Sequence, residues 1–207
     1  MSFCTCGRKH TEMNIRVAIS GKMGSGKTTL AKALQTEFSQ MPDLYDTNGF
    51  YPEIRGFGAP IRELLAAGGI TKEHSDYRQA AQNVGMTMRE IDPCFWIRYF
   101  HNHAKASVII DDLRFKNEYE FCLQHKFFLI RIDRSLHPFD THFESHVSET
   151  DLDDVNGWDY SIYGMVSPPN VDKVVKQMMP EIRDFFCDSE VQRRRIVEAL
   201  SPSAATE

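Results

Sequence analysis

No apolar run in this sequence reaches the roughly 20 residues that a membrane-spanning helix requires. No stretch near the start has the charged, apolar and small-residue order of a secretory signal peptide, so we expect a cytoplasmic protein without a membrane partner. A basic excess is also missing, because 24 Lys and Arg stand against 29 Asp and Glu and give a net charge of −5. Broad binding to nucleic acid requires a basic surface, and we therefore expect no nucleic-acid partner.

Cysteine is sparse as well. The five cysteines are an odd and scattered set, which is typical of reduced thiols in a reducing compartment. Cys4, Cys6 and His10 could be imagined as metal ligands, but no second pair supports such a site. At 207 residues and 42 % hydrophobic composition, the chain is long enough to bury a core. We predict a single domain over residues 1–207, and the sequence allows a homodimer.

The sequence does contain one strong motif. The eight residues GKMGSGKT at 21–28 fit the phosphate-binding pattern G-x-x-x-x-G-K-[ST], between a strand-like run and a helical apolar pattern. The glycines allow backbone N–H groups to converge on phosphate oxygens at the positive end of a helix dipole. A random chain of this length would carry the pattern only about one time in a hundred. The sequence therefore predicts that the chain binds a nucleoside triphosphate.

Individual roles follow from the chemistry of this loop. We expect Lys27 to reach the β- and γ-phosphates and the Thr28 hydroxyl to bind Mg²⁺. The residues predicted to hold the nucleotide are Gly21, Lys22, Gly24, Ser25, Gly26, Lys27, Thr28 and Thr29.

Apolar runs typical of buried strands alternate with helical patterns along the chain. The strand-like runs lie at 15–20, 107–112, 127–132 and 158–163. This alternation predicts an α/β fold of three layers, with helices on both sides of a central parallel sheet. We also predict a helix that starts after Thr71 and ends at Gly85, because glycine commonly terminates a helix. The polar, His-rich residues 134–147 are expected to form a mobile lid, and residues 188–207 a C-terminal helix and tail.

A second group of candidate residues lies on and near that predicted helix. Arg78 and Gln82 are one helical turn apart and share a face. Arg89 lies just beyond Gly85, from where it could swing toward the same pocket. Two guanidinium groups that converge near a helix end can hold a phosphate dianion bidentately. For a single arginine a solvated helix face is the commoner role, so this prediction depends on their convergence.

Two adjacent carboxylates, Asp111 and Asp112, follow a strand-like run. The carboxyl end of a parallel strand is where ligands bind in open α/β sheets, and a carboxylate there can hold Mg²⁺ as a Walker-B acid does. Arg114 follows them and could stabilise negative charge on a transferring phosphoryl group. An ordinary strand-end turn with a surface ion pair is the alternative, but the expected position beside the phosphate loop favours a functional role.

Together these segments resemble the bacteriophage deoxynucleoside monophosphate kinases, a branch of the P-loop nucleoside monophosphate kinase superfamily. The matching pieces run in one order from about residue 15 to residue 165: GKMGSGKT, FGAPIREL, YRQAAQNVGMTMREIDPCFW, IIDDLRFKNE, and HVSETDL followed by WDYSI. The resemblance implies that the γ-phosphoryl group of ATP passes, with Mg²⁺ as cofactor, to a deoxynucleoside 5′-monophosphate. It also implies a P-loop kinase fold with a lid over both small-molecule substrates and, for a phage-encoded enzyme, action in the host cytoplasm.

The resemblance further implies roles at the reaction centre. Lys27 would act on the ATP phosphates, while Asp112 and Arg114 would face the reaction centre. Asp112 would join Thr28 as a metal ligand, and Arg134 would clamp phosphates at the mouth of the lid.

An acceptor site is implied as well. Its residues would be Arg62, Arg78, Gln82, Arg89 and Trp96, with the arginines on the phosphate and the other two near the base or sugar. His146 and Glu149 also match the family pattern, although a capping box of Ser148 and Asp151 fits this segment as well.

Two other functions remain open. A related P-loop kinase could phosphorylate another phosphorylated small molecule, such as phosphomevalonate or dephospho-coenzyme A. Phosphomevalonate kinases resemble this chain in the strand-end Asp-x-Arg and the Ser-Glu segment that follows. From a different class, the chain could be a regulatory ATPase that works as a switch, whereas a GTPase is disfavoured because no Asn-Lys-x-Asp segment occurs. ADP formation that depends on an added acceptor would separate a kinase from a switch.

Overall fold

A sheet of parallel strands organises the part of the chain that the computed structural model describes, namely residues 14–41, 51–133 and 147–187. Within these ranges the strands are β1 (Arg16–Gly21), β2 (Glu53–Ile54), β3 (Val108–Leu113), β4 (Phe128–Asp133) and β5 (Tyr160–Tyr163). The helices of the same ranges are α1 (Lys27–Ser39), α2 (Ala59–Ala67), α3 (Tyr77–Ile91), α4 (Phe95–His103), α5 (Lys116–Gln124), α6 (Val147–Thr150) and α7 (Val171–Cys187).

The predicted α/β fold, a parallel sheet flanked by helices, is confirmed. Of the predicted lid, only Val147 falls within a described range, and the predicted C-terminal helix and tail at 188–207 lie outside these ranges. Among the described helices, none combines the length and the apolar character that crossing a membrane requires.

The strand order places the end of β1 at a reversal point. The order is β2-β3-β1-β4-β5, and all neighbouring pairs are parallel. The chain builds β2 and β3 on one side of β1 and then crosses to the other side for β4 and β5. The carboxyl end of β1 therefore lies where the strand order reverses, which is the usual position of a ligand in open α/β sheets.

Side chains of the central strands alternate between two apolar layers. On one face of β3, Ile109 packs in a cluster with residues of α1 and α7. On the other face, Ile110 packs in a cluster with residues of α4 and α5. Because strand side chains alternate with a period of two, Asp111 belongs to the face of α1 and Asp112 to the opposite face.

The predicted helix end at Gly85 is wrong, because α3 runs unbroken through this residue. The helix also begins at Tyr77 rather than directly after Thr71. A Cβ atom at Gly85 would lie 3.2 Å from both Cδ1 of Ile61 and Nη1 of Arg89. Glycine at this position therefore allows close packing of α3 on α2 rather than ending the helix.

Candidate active site

The phosphate loop fills the gap between β1 and α1 and is shaped by its glycines. Gly26, directly before α1, has a φ of 96°, in the left-handed region that glycine adopts without strain. A Cβ atom on it would lie 2.0 Å from the carbonyl oxygen of Val166, between β5 and α7. The N–H of Val166 also donates to the carbonyl oxygen of Ser25 at 2.9 Å. The loop is thus fixed against the chain after β5, and the residues predicted to hold a nucleotide, from Gly21 to Thr29, lie in it and in the first turn of α1.

Lys27 is folded back into this loop. Its Nζ atom donates hydrogen bonds to the carbonyl oxygens of Gly21 at 2.6 Å and Lys22 at 2.8 Å, and the residue is only 8 % exposed. Burial lowers the pKa of Lys27 to about 8, and the positive charge of Arg114 is the next cause. Lys27 is therefore still mostly cationic at neutral pH, inside the loop that would receive phosphates.

The Thr28 hydroxyl donates a hydrogen bond to Oδ2 of Asp111 at 2.9 Å. Asp111 reaches it because its side chain leaves β3 on the face of α1. Burial raises the pKa of Asp111, as does the charge of Asp112, while the bond from Thr28 opposes the shift. A hydroxyl beside a carboxylate is the oxygen donor set with which P-loop proteins hold Mg²⁺. The residues present therefore fit Mg²⁺, with Asp111 as the carboxylate.

Asp112, the predicted metal ligand, is engaged elsewhere. Its Oδ1 accepts the N–H of Phe57 at 2.7 Å, and its Oδ2 accepts the N–H of Gly58 at 3.0 Å and Nη1 of Arg62 at 3.1 Å. Asp112 thus fixes the turn before α2 and orients Arg62. This placement moves the candidate metal role to Asp111 and gives Asp112 a positioning role on the opposite face of β3.

A cavity of about 540 Å³ opens beside the phosphate loop. Met23 of the loop lies in its wall, so the loop and the cavity are contiguous. Four arginines line it: Arg62, Arg78, Arg89 and Arg114. Four of the five residues predicted for an acceptor are in the wall, namely Arg62, Arg78, Gln82 and Arg89.

The fifth of these residues, Trp96, is a core residue instead. It is 5 % exposed, and its Nε1 donates to the carbonyl oxygen of Gly85 at 3.0 Å. Its ring packs in an apolar cluster with Ile61 and Leu65. Trp96 therefore supports α3 without entering the cavity wall, which corrects its predicted position near a base or sugar.

The unbroken course of α3 brings its polar cavity residues to one face. These polar residues are Arg78, Gln82 and Arg89, and together with Gly85 they have the spacings of one helix face. The predicted convergence of Arg78 and Arg89 on one pocket is present. It arises from helix continuity and not from a swing beyond a helix end.

Glu118 is a buried carboxylate in the cavity wall that the sequence analysis did not single out. It is 2 % exposed, and its Oε1 accepts Nη2 of Arg89 at 2.8 Å. Its Oε2 accepts the N–H groups of Arg114 at 3.0 Å and Phe115 at 3.2 Å. Burial raises the pKa of Glu118 to about 7, and the charge of Arg89 opposes this shift. A glutamate at the third position of a helix commonly reaches back to the N-cap residue, and this signal could have pointed to it.

Arg114 and Glu149 join α6 to the phosphate loop. Nη1 of Arg114 forms an ion pair with Oε1 of Glu149, whose Oε2 accepts the N–H of Met23 at 2.9 Å. The role of Glu149, left open by the sequence, is thus a bridge between an arginine and the loop. Arg114 therefore lines the cavity and is joined through Glu149 to the phosphate loop, and its charge helps to lower the pKa of Lys27. A cation in this position can stabilise charge on a group that passes from the loop to the cavity.

Arginine–carboxylate pairs therefore surround the cavity. They are Arg62–Asp112, Arg89–Glu118 and Arg114–Glu149. A guanidinium group that is already held in place loses little freedom when it binds an anion, so the wall is suited to a phosphate. Arg134, the predicted clamp at the lid, lies outside the described residues, as do His146, Cys4 and Cys6.

A family model described as an AAA domain matches residues 17–137, more than half of the chain. The matched part runs from β1 to β4 and includes the phosphate loop, Asp111 and Arg114. The family is P-loop NTPase-like and includes nucleoside monophosphate kinases. The match supports a nucleotide-binding P-loop domain, and it carries no information on a phage origin or on a preference for deoxynucleotides. None of the curated proteins compared with the chain matches it.

Proposed function

We propose that this chain, which belongs to the AAA domain family, is a kinase that transfers the γ-phosphoryl group of MgATP to a deoxynucleoside 5′-monophosphate. The observation that carries the proposal is the arginine-lined cavity of about 540 Å³ that is contiguous with the phosphate loop. A regulatory ATPase requires a site for one nucleotide only. A cavity with cationic walls beside the phosphate loop favours an enzyme that brings the phosphate of a second substrate to ATP.

The donor half of the site would hold ATP through the loop at 21–28. Lys27 would exchange its two carbonyl partners for phosphate oxygens, because a charged acceptor forms the stronger hydrogen bond. Thr28 and Asp111 would hold Mg²⁺, which neutralises charge on the β- and γ-phosphates when it is bound.

The acceptor half would hold a phosphate with arginines and a nucleoside with apolar walls. The apolar lining includes Phe57, Ile61, Met86 and Phe115, and Gln82 adds an amide that can both donate and accept. An oxygen of the acceptor phosphate is itself the nucleophile, so no catalytic base is required. The rate enhancement then comes from positioning and charge neutralisation, with Arg114 between the two halves.

The choice of a deoxynucleoside monophosphate over other phosphorylated acceptors is supported by the sequence resemblance and not by a contact in the cavity. The same resemblance supports a place in the cytoplasm, that of the host if a phage encodes the enzyme. Phosphomevalonate or dephospho-coenzyme A remains the second candidate class of acceptor, because arginines that bind a phosphate do not distinguish acceptors by the groups attached to it.

An assay of ADP release over a panel of acceptors tests the proposal. The panel contains the common deoxynucleoside monophosphates, the matching ribonucleotides, the deoxynucleosides, phosphomevalonate and dephospho-coenzyme A. We expect turnover with deoxynucleoside monophosphates and none with deoxynucleosides, because an uncharged acceptor leaves the arginines of the wall without a phosphate. Activity confined to phosphomevalonate or dephospho-coenzyme A would replace the substrate and keep the kinase mechanism. ADP release that no acceptor changes would favour the regulatory ATPase.

A pair of variants on α3 locates the acceptor. Arg78→Ala should raise the KM for the acceptor by about tenfold or more and change the KM for ATP little, because Arg78 lines the cavity. Gln79→Ala is the matched control, since Gln79 is an exposed neighbour on the same helix. Equal changes in both variants would indicate a general disturbance of α3 and not the loss of an acceptor contact.

A further inference from the structure

Glu118 combines two properties that conflict in a site for anions. It is a carboxylate only 2 % exposed, and it lines the cavity that would receive a phosphate. A negative charge at this wall repels an anionic substrate, so the carboxylate needs another function in the site that offsets this repulsion. The hydrogen bonds of Glu118 indicate what that function is.

We propose that Glu118 is a positioning residue of the phosphoryl transfer, which holds Arg89 at the acceptor cavity and fixes the turn that carries Arg114. This inference rests on the proposed kinase function and adds to it a residue that acts through two others.

The two carboxylate oxygens have separate partners. Oε1 accepts Nη2 of Arg89, on α3, at 2.8 Å. Oε2 accepts the N–H groups of Arg114 at 3.0 Å and Phe115 at 3.2 Å, in the turn between β3 and α5. One oxygen therefore places a side chain that lines the acceptor cavity, and the other places the backbone of Arg114, whose charge helps to lower the pKa of Lys27.

Arg89 is held on three sides. Its Nη1 donates to the carbonyl oxygen of Gly85 at 3.1 Å, and its Nη2 donates to Oε1 of Glu118. Its guanidinium carbon lies 4.0 Å from the centre of the Phe115 ring. A free arginine side chain has many rotamers and must lose them when it binds a phosphate. Contacts that order Arg89 beforehand reduce this loss, so the acceptor should bind more tightly than it would to a mobile arginine.

Stability alone does not account for this arrangement. Taking two charges out of water costs about as much as their attraction contributes, and apolar residues of similar size are often as stable. A carboxylate with three hydrogen bonds at the wall of a binding cavity therefore favours a role in placing the groups that contact ligands.

Glu118→Gln separates the two functions of the carboxylate. The glutamine carbonyl oxygen can still accept the N–H groups of Arg114 and Phe115, whereas its NH₂ group meets the donors of Arg89. We expect the acceptor KM to rise about tenfold or more, with kcat changed by less than about threefold and the KM for ATP unchanged. Glu120→Gln is the matched control on the same helix, because Glu120 is exposed, and it should leave all these constants unchanged.

A second variant, Arg89→Met, shows whether the effect passes through Arg89. If it does, adding Glu118→Gln to Arg89→Met should not raise the acceptor KM further, so that the two changes are not additive. A purely structural role would lower thermal stability and kcat without a selective change in acceptor KM. A fall in acceptor KM would mean that Glu118 only repels the substrate. Either of these results would overturn the proposal.

The wild-type enzyme separates this inference from the function on which it rests. If no acceptor on the panel stimulates ADP release by the wild type, the kinase function fails and the inference fails with it. If the wild type turns over an acceptor but Glu118→Gln keeps the wild-type acceptor KM, only the inference fails.

Discussion

The donor half of the candidate site is a continuous stretch of backbone, whereas the acceptor half is assembled from side chains of distant segments. The donor loop occupies residues 21–28, and a side chain at Gly26 would collide with the carbonyl oxygen of Val166 at 2.0 Å. The acceptor cavity has three arginine–carboxylate pairs whose members are 50, 29 and 35 residues apart. Backbone N–H groups bind a phosphate whatever molecule carries it. Selectivity for a second substrate must therefore come from the acceptor half.

One strand serves both halves. Asp111 leaves β3 toward the phosphate loop and accepts the Thr28 hydroxyl, while Asp112 leaves it on the other face and orients Arg62. Two adjacent residues of the same type thus have different functions, because strand side chains alternate between the faces of a sheet.

The largest loss of activity is expected from substitution of Lys27 in the donor half. Lys27→Met should lower kcat/KM by about 10³-fold or more, because it removes the charge that is proposed to neutralise the β- and γ-phosphates and leaves two carbonyl oxygens of the loop without their donor. Steady-state ADP release measures the loss, and thermal unfolding shows whether the fold persists. Lys32→Met, at an exposed position of α1, is the control. Turnover near that of the wild type in Lys27→Met would contradict the donor assignment.

The next effect should come from the residue between the halves. Arg114→Ala should lower kcat by about 10²- to 10³-fold with a much smaller change in the KM for ATP, since its proposed contact with the transferring phosphoryl group would strengthen in the transition state. Glu149→Gln should lower kcat less, because it keeps the guanidinium group of Arg114 and removes only the charge of its ion-pair partner. If Arg114→Ala changes substrate binding alone, Arg114 has a ground-state role.

The two halves differ in how well the sequence predicted them. The phosphate loop is local, so its motif and its flanking patterns predicted its position, and the alternation of strand-like and helical patterns along the chain predicted the α/β class. The distinction between Asp111 and Asp112 was available in principle, because Ile109 and Ile110 alternate in the same strand. It required knowledge of which face carries α1, and the strand pattern by itself does not give this.

The acceptor half could be predicted only in part. Arg78 and Gln82 were predicted from helical spacing, and Arg89 from its position just beyond Gly85. Gly85 was wrongly predicted to end the helix, because glycine both terminates helices and allows close packing. Trp96 was placed near the substrate because an aromatic side chain beside a pocket and one in the core look alike in sequence. The partners Glu118 and Glu149 were missed or left open, because a pair 29 or 35 residues apart exists only once the chain has folded.

Separate substitution of the two β3 carboxylates tests whether Asp111 and Asp112 have different functions. Asp111→Asn should raise the Mg²⁺ concentration for half-maximal activity about tenfold or more and leave the acceptor KM unchanged. Asp112→Asn should instead raise the acceptor KM and leave the Mg²⁺ concentration for half-maximal activity unchanged, because it loosens Arg62 and the turn before α2. Magnesium and acceptor titrations of both variants give the comparison, and the reverse pattern would restore Asp112 as the metal ligand.

The smallest expected effect concerns two of the buried ionisable groups, Lys27 in the donor half and Glu118 in the acceptor half. Burial moves the pKa of Lys27 down to about 8 and that of Glu118 up to about 7. The unfolded chain ionises this carboxyl near its ordinary pKa of 4.5, so between 4.5 and about 7 only the unfolded chain has released the proton. The stability that Glu118 contributes is therefore fully present below pH 4.5 and is lost as the pH rises through about 7.

Chemical denaturation of the wild type and Glu118→Gln between pH 5 and pH 8 measures this change. The free energy of unfolding of the wild type minus that of the variant should fall as the pH rises, because glutamine does not ionise and the contributions of the other groups largely cancel in the difference. The change should level off above pH 7, where both folded and unfolded carboxyls are charged. A difference that is flat across the range would mean that Glu118 is ionised throughout and forms a fully charged pair with Arg89. Electrostatic attraction would then outweigh burial in the acceptor half, whereas burial outweighs it at Lys27 in the donor half.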